Sequence, residues 1–265
     1  MILGASFATS DPEQWLNRAL FYGDGIFETM RFAGGQIPLF KWHQQRMNGG
    51  LERLHLDQPD WPAIITVIGQ MPKELVSSAV IKLVVFRKTQ HRGYQPATQM
   101  SEWLLLAEPF APDQKTTYTL GVATGRLADQ PMLAGMKHLN RLEQVMVADE
   151  LNDQDVDDLL VLNQQGNVIE TTRQNLVVVK DGQLLTPDLS LCGVRGVALE
   201  WLKSQYNVRE TSFEINDMLR FDEVLLGNSL HGFRPVSQIK GLDSIGTARQ
   251  VHGKISDLWN RLFKA

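Results

Sequence analysis

Cysteine is almost absent from this sequence, which contains a single one, Cys192, among its 265 residues. One thiol can form neither an internal disulfide nor a cysteine-rich zinc site, and it fits a reducing compartment. Long apolar runs are also missing, and the opening segment MILGASFATS has no basic residue before its apolar ones. Because a membrane-spanning helix needs about 20 apolar residues and a signal peptide needs a basic start, we expect a cytoplasmic protein without membrane contact.

Clusters of positive charge and of metal ligands are lacking as well. Lysine and arginine total 26 against 30 aspartates and glutamates, which gives a formal net charge of −4, and no basic block is present. A nucleic-acid partner is therefore not expected. The six histidines show no HExxH or other close metal spacing, so we expect no metal site. The GDG at residues 23–25 is not a dinucleotide fingerprint, and GNSLHG lacks the first glycine position of a nucleophile elbow.

The sequence does contain a mixture of strand and helix patterns, which predicts an α+β protein. DGIFETMRFAGGQIPLF predicts a hairpin with strands at residues 26–32 and 37–40. KWHQQRMNGGLERLHL has apolar residues at helical spacing, and a second short helix is expected from Pro62. SAVIKLVVF and EWLLLAE are rich in β-branched or large apolar residues and predict buried strands.

A polar segment with two prolines, PFAPDQKT at residues 109–116, predicts a linker. We therefore expect a smaller N-terminal α/β domain of residues 1–110 and a larger C-terminal domain of residues 111–265. In the second domain, strands are expected in YTLGVAT, DLLVL, VIE, NLVVV, LLTP, DEVLLGN and PVSQI. Helices are expected in LNRLEQVMVADELN, in GVRGVALEWLKS and in the C-terminal segment, whose apolar residues share one face.

Lys137 lies between the small-residue stretch PMLAGM and a helical pattern, which predicts a partly buried loop. Burial disfavours the charged ammonium and frees the amine to attack a carbonyl, as a Schiff-base lysine requires. A solvated surface lysine is the alternative interpretation of this residue taken alone.

A Schiff base to pyridoxal phosphate needs a carboxylate beside the ring nitrogen, so that the protonated ring can act as an electron sink. Glu170, at the end of the strand VIE, is the candidate. Taken alone, it is equally well explained as an exposed strand-end glutamate.

The phosphate of such a cofactor needs backbone N–H groups at a helix start, where the helix dipole favours an anion. CGVRGVALEW predicts such a start at Gly193, Val194 and Arg195, although these glycines are also ordinary turn residues. Arg46 is a candidate for a charged contact with the phosphate, and Ser229 for a hydroxyl contact.

The order of these segments resembles the fold-type IV pyridoxal-phosphate enzymes, which include branched-chain and D-amino acid aminotransferases and 4-amino-4-deoxychorismate lyases. The matching segments are YGDGIFET, HQQRM, MKHLNRLEQV, GNVIETTRQNLVV, TPDLSLCGVRG and DEVLLGNSLHGFRPV, spread over most of the chain. The resemblance implies the two-domain fold of the D-amino acid aminotransferases, with pyridoxal 5'-phosphate held by the larger domain. It makes Lys137 the lysine that binds the aldehyde and Glu170 the partner of the pyridine nitrogen. Arg46, Ser229 and the backbone of Val194 and Arg195 would then bind the phosphate.

Within this class, AGMKHLNRLEQV and HRGY are similar to segments of the bacterial 4-amino-4-deoxychorismate lyases. This implies release of 4-aminobenzoate and pyruvate from 4-amino-4-deoxychorismate, a step of folate biosynthesis. Thr29 stands where those lyases have a hydroxyl that assists proton transfer. Arg87, Arg92 and Tyr94, on the loop after KLVVF, are the candidates for binding the substrate carboxylates.

Two alternatives stay open from the sequence. GDGIFE keeps a glutamate that is commoner in the aminotransferases, so the alternative within the class is an aminotransferase acting on branched-chain or D-amino acids. The alternative from another class is a non-catalytic protein in which Lys137 and Glu170 are only paired or solvated. The family resemblance also implies a homodimer.

Overall fold

A computed structural model of the chain describes residues 1–88 and 93–263 and separates into two compact units. The first unit comprises Met1–Ala111 together with Met136–Asn140, and the second comprises Pro112–Gly135 and Arg141–Ala265. A boundary placed at the linker alone assigns residues 136–140 to the C-terminal domain. The structure differs at these five residues because their backbone pairs with a strand of the first unit.

The first unit contains a four-stranded antiparallel sheet in the order β1-β4-β3-β2. Its strands are β1 (Ile2–Ala5), β2 (Gly25–Ala33), β3 (Ser78–Arg87) and β4 (Ser101–Pro109). Its helices are α1 (Arg18–Tyr22), α2 (Phe40–Arg53) and α3 (Trp61–Gly69), with a 3₁₀ segment at Pro12–Trp15.

Strand alternation gives β2 two different faces. Ile26 and Met30 are buried in one core with Met47 of α2 and Ile64 of α3. Phe27 and Thr29 point to the opposite face and are only half-buried. The helices expected after Lys41 and from Pro62 are confirmed as α2 and α3.

The predicted hairpin at residues 26–40 is wrong. Its turn forms, since the backbones of Ala33 and Gln36 exchange hydrogen bonds, but residues 37–39 form no strand and α2 begins at Phe40. Instead β2 pairs along its whole length with β3, from Gly25 opposite Phe86 to Ala33 opposite Ser78. The nine-residue pairing with a distant strand outweighs the two- or three-residue pairing available locally.

The second unit contains an eight-stranded sheet in the order β10-β9-β8-β11-β12-β5-β6-β7, and an additional pairing of β7 with β8 closes six of the strands into a ring. Its strands are β5 (Tyr118–Leu127), β6 (Asp158–Asn163), β7 (Val168–Thr171), β8 (Asn175–Lys180), β9 (Gln183–Pro187), β10 (Val208–Thr211), β11 (Glu223–Asn228) and β12 (Gly232–Ile239). Its helices are α4 (Leu142–Asp149), α5 (Val197–Gln205) and α6 (Gln250–Leu262), with 3₁₀ segments at Glu150–Asp153 and Ile215–Arg220. The core of the ring is built from apolar side chains such as Leu160, Leu176 and Val224, all fully buried.

Two of the predicted helices in this unit begin later than expected. The helix predicted from Leu139 begins at Leu142, because residues 137–139 form backbone bonds outside any helix. The helix predicted from Gly193 begins at Val197, with Gly196 as its N-cap in an extended conformation.

Helix lengths bear on the membrane question. The longest described helix, α2, has 14 residues. None of the helices within residues 1–88 and 93–263 is long and apolar enough to cross a bilayer.

Candidate active site

The backbone around Lys137 adds a short fifth partner to the four-stranded first sheet, at its β2 edge. The Phe27 N–H donates to the Lys137 carbonyl at 2.9 Å, and the Leu139 N–H donates to the Gly25 carbonyl at 3.0 Å. His138 is thereby paired antiparallel with Ile26. These bonds fix the direction in which the Lys137 side chain leaves the backbone.

The Lys137 side chain is half-buried and lies over an aromatic ring. Its Nζ is 4.5 Å from the centroid of the Phe27 ring, a distance at which the ring face attracts a cation. Lys82 of β3 places its Nζ 4.9 Å from the same ring. The amines of Lys82 and Lys137 therefore both contact the Phe27 ring, which brings two positive charges close to one aromatic side chain.

Thr29 lies two residues after Phe27 in β2, so its side chain leaves the same face of the sheet. It is half-buried and pairs in register with Lys82. Lys137 is opposite Phe27, and one strand repeat of about 7 Å separates Phe27 from Thr29. The structure therefore brings Thr29 and Lys137, both predicted as catalytic, to one face.

The other face of β2 holds a buried ion cluster formed by Glu28, His43 and Arg46. Arg46 donates from Nε to Glu28 Oε1 at 2.7 Å and from Nη2 to Oε2 at 2.5 Å, and His43 Nδ1 lies 2.6 Å from Oε2. Burial by itself raises the pKa of Glu28, but the Arg46 charge and the hydrogen bonds from His43 and Arg46 outweigh it and lower this pKa from 4.5 to about 2. Glu28 is therefore ionised at all physiological pH values.

His43 is neutral in this cluster. Burial, together with the Arg46 and Lys137 charges, lowers the pKa of His43 by more than the hydrogen bond and charge of Glu28 raise it. The neutral ring uses its Nδ1 hydrogen for Glu28, which fixes its tautomer. Sequence reasoning named Arg46 and missed Glu28 and His43. The spacing of these residues contained a signal for both. His43 and Arg46 are three residues apart on one helical face, and Glu28 lies on the same face of its strand as the apolar Ile26 and Met30.

Glu170 lies in β7 and is only 7% exposed. It is paired with Val161 of β6 and with Asn175 of β8, so strands on both sides fix its backbone. Its Oε2 accepts a hydrogen bond of 3.0 Å from the Val194 N–H. Glu170 is thus a buried, oriented carboxylate, unlike an exposed residue at the end of a strand.

The Val194 and Arg195 N–H groups, which were predicted to bind a phosphate, both donate to acceptors within the protein. The Val194 N–H donates to Glu170, and the Arg195 N–H donates to the Gly135 carbonyl at 3.0 Å. Both residues precede α5 and take no part in its first turn. The Arg195 side chain is bound by Glu210.

The first N–H groups of α5 are those of Val197 and Ala198. The N-cap Gly196 has no side chain to bind them, and no other side chain within the described ranges caps this helix. Asn175 fixes the backbone that precedes α5, because its Nδ2 donates to the Val194 carbonyl at 2.8 Å. The start of α5 therefore lies at Val197, four residues after the predicted start at Gly193.

Gly135 and Gly193 bring two backbone segments into close contact. The Gly135 N–H donates to the Gly193 carbonyl at 2.9 Å, and both residues have positive φ angles, +79° and +80°. A Cβ atom at Gly193 would lie 2.8 Å from Ile169 Cγ2 and 3.5 Å from Glu170 Cδ. The absence of that atom leaves the space beside the Glu170 carboxylate open. Since Gly135 precedes Lys137 by two residues, this pairing also fixes the start of the lysine segment.

Ser229 lies in the turn between β11 and β12 and is half-buried. The turn is held by Asn228, whose Oδ1 accepts from the Leu230 N–H at 3.1 Å and from the His231 N–H at 2.9 Å. These two bonds fix the backbone on which Ser229 lies.

The three residues predicted to bind the substrate have different outcomes. Arg87 is 4% exposed and donates to Asp24 and to three backbone carbonyls between residues 54 and 98, so it holds the end of β3 in place and is not retained as a substrate ligand. Tyr94 is 87% exposed, with its ring against Tyr22. Arg92 lies outside the described residues.

Comparisons with protein families, curated sequences and solved structures all relate this chain to the same family. The family model for amino-transferase class IV matches residues 25–239. An aminodeoxychorismate lyase of Vibrio harveyi is 38% identical over 234 residues, which cover 84% of this chain and 86% of that protein. A putative branched-chain-amino-acid aminotransferase of Methanocaldococcus jannaschii is 28% identical over 85% of this chain and 82% of its own length. The crystal structure of 4-amino-4-deoxychorismate lyase from Pseudomonas aeruginosa superimposes with a TM-score of 0.86 at 30% identity, over 97% of this chain and 98% of the other.

Proposed function

We propose that this chain, which belongs to the amino-transferase class IV family, is a pyridoxal-phosphate-dependent 4-amino-4-deoxychorismate lyase. The observation that carries the proposal is the 38% identity to an aminodeoxychorismate lyase over 84% of the chain. The family's known cofactor is pyridoxal phosphate, and the products of the reaction would be 4-aminobenzoate and pyruvate. The 28% identity to the putative aminotransferase is lower over the same length, which favours the lyase.

The residues present fit the three functional groups of pyridoxal phosphate. Lys137 supplies an amine for the aldehyde, and Glu170 supplies a buried carboxylate for the pyridine nitrogen. For the phosphate, we propose the uncapped N–H groups at the start of α5, at Val197 and Ala198, in place of the bonded N–H groups that precede the helix. Ser229 and Arg46 remain the proposed side-chain ligands of the phosphate.

Arg46 is suited to an anion because Glu28 holds two of its donors in a fixed geometry. An arginine whose rotamer is already set loses less conformational entropy when it binds a phosphate. The buried Glu28 carboxylate also keeps the guanidinium from carrying an uncompensated charge.

When bound, pyridoxal phosphate supplies an electron sink that acidifies the C–H bond beside the substrate's amino nitrogen. Lys137 Nζ is positioned to take that proton and later to return one to the departing three-carbon fragment, which leaves as pyruvate. The C–O bond to that fragment breaks as the six-membered ring becomes aromatic, so the reaction needs no oxidant and no keto-acid acceptor. Thr29, on the Lys137 face of β2, supplies a hydroxyl that holds a proton during this transfer.

The test is to incubate the purified protein and pyridoxal phosphate with 4-amino-4-deoxychorismate in the absence of any keto acid. We expect 4-aminobenzoate, followed by its fluorescence, and pyruvate, followed by a coupled dehydrogenase, in equal amounts. A parallel reaction contains leucine or D-alanine with 2-oxoglutarate. Glutamate formation without any 4-aminobenzoate would make the chain an aminotransferase, and a protein that neither binds the cofactor nor forms either product would be the non-catalytic alternative.

The assembly and location expected from the resemblance are proposals as well. We propose a homodimer, to be measured by light scattering during gel filtration, where a mass of one chain would refute it. A reducing compartment such as the cytoplasm is proposed because the only cysteine is buried and has no second cysteine to pair with.

A further inference from the structure

Asp158, the first residue of β6, is a carboxylate with no exposed surface. Its Oδ1 accepts hydrogen bonds from the Leu159 N–H at 2.9 Å, the Thr172 N–H at 3.2 Å and the Thr172 hydroxyl at 2.5 Å. Its Oδ2 accepts from the Thr171 hydroxyl at 2.8 Å and from Gln174 Nε2 at 3.2 Å. Five hydrogen-bond donors thus satisfy one buried anion, which is the condition under which burying a carboxylate is tolerated. Arg173 of the same turn adds a longer ion pair, with its Nε 3.7 Å from Asp158 Oδ2, but its side chain is largely exposed.

Four of those five donors come from the turn that follows Glu170. Residues 171–174 connect β7 to β8, and the Thr171 N–H donates to the Gln174 carbonyl at 2.8 Å. Glu170 and Asn175, the residues on either side of the turn, are the only register pair recorded between these two strands in the described part of the chain. The position of Glu170 relative to β8 therefore depends on the shape of this turn more than on a long ladder.

The Gln174 side chain binds Asp158 with one end of its amide and leaves the other end without a hydrogen bond to any residue that the structure describes. It is 3% exposed, and its Nε2 is used for Asp158. Its Oε1 is buried and has no hydrogen-bond partner among the described residues. Since a buried acceptor without a partner is unfavourable, the orientation of this amide is set by its bond to the carboxylate.

We propose that Asp158 is a positioning residue for Glu170: it fixes the turn 171–174 and so holds the Glu170 carboxylate in the place that keeps a bound pyridine nitrogen protonated. The inference rests on the proposed function, because it concerns the ring-nitrogen partner of the cofactor. Asp158 does not touch the cofactor in this account, and its negative charge is not what matters. Its role is geometric, through the hydrogen bonds that it accepts.

The geometric role predicts different outcomes for two substitutions at this position. Asp158→Asn keeps Oδ1 as an acceptor for Leu159 and Thr172, and a flipped Gln174 amide accepts from the new NH₂ group with the oxygen that now lacks a partner. Asp158→Ala removes every one of these bonds. Asp157→Asn is the matched control, because the partly exposed Asp157 side chain binds Lys115 and the Thr119 N–H. Asp157 binds the turn through its backbone carbonyl, which accepts from Arg173 and is kept in the variant.

The experiment uses the full chain loaded with ¹⁵N-labelled pyridoxal phosphate. The ¹⁵N chemical shift reports whether the ring nitrogen is protonated, a fluorescence titration gives the cofactor Kd, and the midpoint of thermal unfolding gives stability. We expect a protonated nitrogen and a Kd within about threefold of wild type for Asp157→Asn and Asp158→Asn. For Asp158→Ala we expect a Kd about tenfold higher, together with loss of the protonated signal.

Three results would overturn the inference. The first is an Asp158→Ala protein that unfolds at a lower temperature yet keeps the protonated signal and the Kd, which indicates a purely structural role. The second is an Asp158→Asn protein that behaves like Asp158→Ala, which would make the charge responsible. If Asp158→Ala does not fold, Thr171→Val keeps the side-chain shape but removes the hydroxyl that donates to Asp158 and accepts from the Gln174 N–H within the turn. An unchanged ¹⁵N signal in that variant contradicts the inference equally. Wild-type protein that binds no pyridoxal phosphate would instead refute the proposed function and remove the basis of this inference with it.

Discussion

The buried ion cluster of Glu28, His43 and Arg46 allows a quantitative prediction for Glu28→Gln. This substitution removes the charge and keeps the size of the side chain. It leaves the Arg46 guanidinium, whose side chain is 14% exposed, without its carboxylate partner. It also places an NH₂ group where both neighbours are donors.

The expected cost follows from the pKa of Glu28. A pKa lowered from 4.5 to about 2 corresponds to about 3 kcal/mol of stability at neutral pH. Breaking a buried ion pair by removing one partner typically costs about 3–5 kcal/mol, which agrees with that figure. We therefore expect Glu28→Gln to lower the free energy of unfolding at pH 7 by about 3 kcal/mol.

The same shift fixes the pH dependence. Because the folded-state pKa of Glu28 is depressed, its contribution is complete above pH 4.5 and is lost as the pH falls towards 2. About 1 kcal/mol of this stability should be lost between pH 7 and pH 4. The pKa of His43 is also lowered, so its contribution to the free energy of unfolding decreases as the pH falls below 6.5. This second titration must be removed from the comparison.

The assay is urea unfolding followed by tryptophan fluorescence at pH 7 and pH 4. His43→Asn replaces the imidazole with a donor that does not titrate, and the stability gap between His43→Asn and the double variant with Glu28→Gln should narrow by up to about 1 kcal/mol at pH 4. Glu108→Gln, at an exposed position of β4, is the control and should change stability by less than about 0.5 kcal/mol. A Glu28→Gln protein as stable at pH 7 as this control would refute the reasoning.

Three further predictions concern single residues. Gly196→Ala should lower the free energy of unfolding by about 2 kcal/mol or more, because a Cβ atom there overlaps the Asn175 side chain. Gly253→Ala is the control and should be neutral or stabilising, because nothing lies within 4 Å of its Cβ position. Equal melting temperatures for the two variants would contradict this prediction. Cys192 should not react with a disulfide reagent at pH 8 in the native protein, because burial and nearby carboxylates raise its pKa to about 12. One reactive thiol should appear when the protein is unfolded. A rapid reaction of the native protein would contradict this prediction. Arg87→Gln should destabilise the protein by about 2–4 kcal/mol, measured by urea unfolding, and a raised KM at unchanged stability would instead restore its role as a substrate ligand.

Local patterns were sufficient for much of the fold. The strands β3, β4, β6 and β8 were predictable because buried strands need continuous β-branched or large apolar residues. The start of α3 was predictable because Pro62 stands in the first turn, and the structure adds Asp60 as the capping acceptor for the Ala63 N–H.

Contacts between distant residues were not predictable in this way. β2 pairs with β3, more than 40 residues away, although a glycine turn at its own end favours a hairpin. The start of α5 was misplaced because Gly193 and Gly196 both suit a helix start, and only the bond from Val194 to Glu170 separates them. The role of Arg87 depends on partners as distant as Asp24, which no local pattern brings together.

The candidate site was predicted unevenly for the same reason. Resemblance identified Lys137 and Glu170, and the structure describes the backbone that orients each of them. Glu28 and His43 left a signal in the residue spacing, whereas the role of Asp158 appears only once its strand and the turn after Glu170 are in contact.

The central claim is that Lys137 forms the bond to pyridoxal phosphate. The measurement is to load the protein with the cofactor, reduce it with borohydride, digest it with trypsin and locate the added mass by sequencing the peptides in a mass spectrometer. Lys82 is the internal control, since its amine lies over the same Phe27 ring. The account predicts one pyridoxyl phosphate on Lys137, in an uncut peptide of residues 127–141, and none on Lys82. A label on Lys82, a label spread over exposed lysines, or no label at all would contradict it.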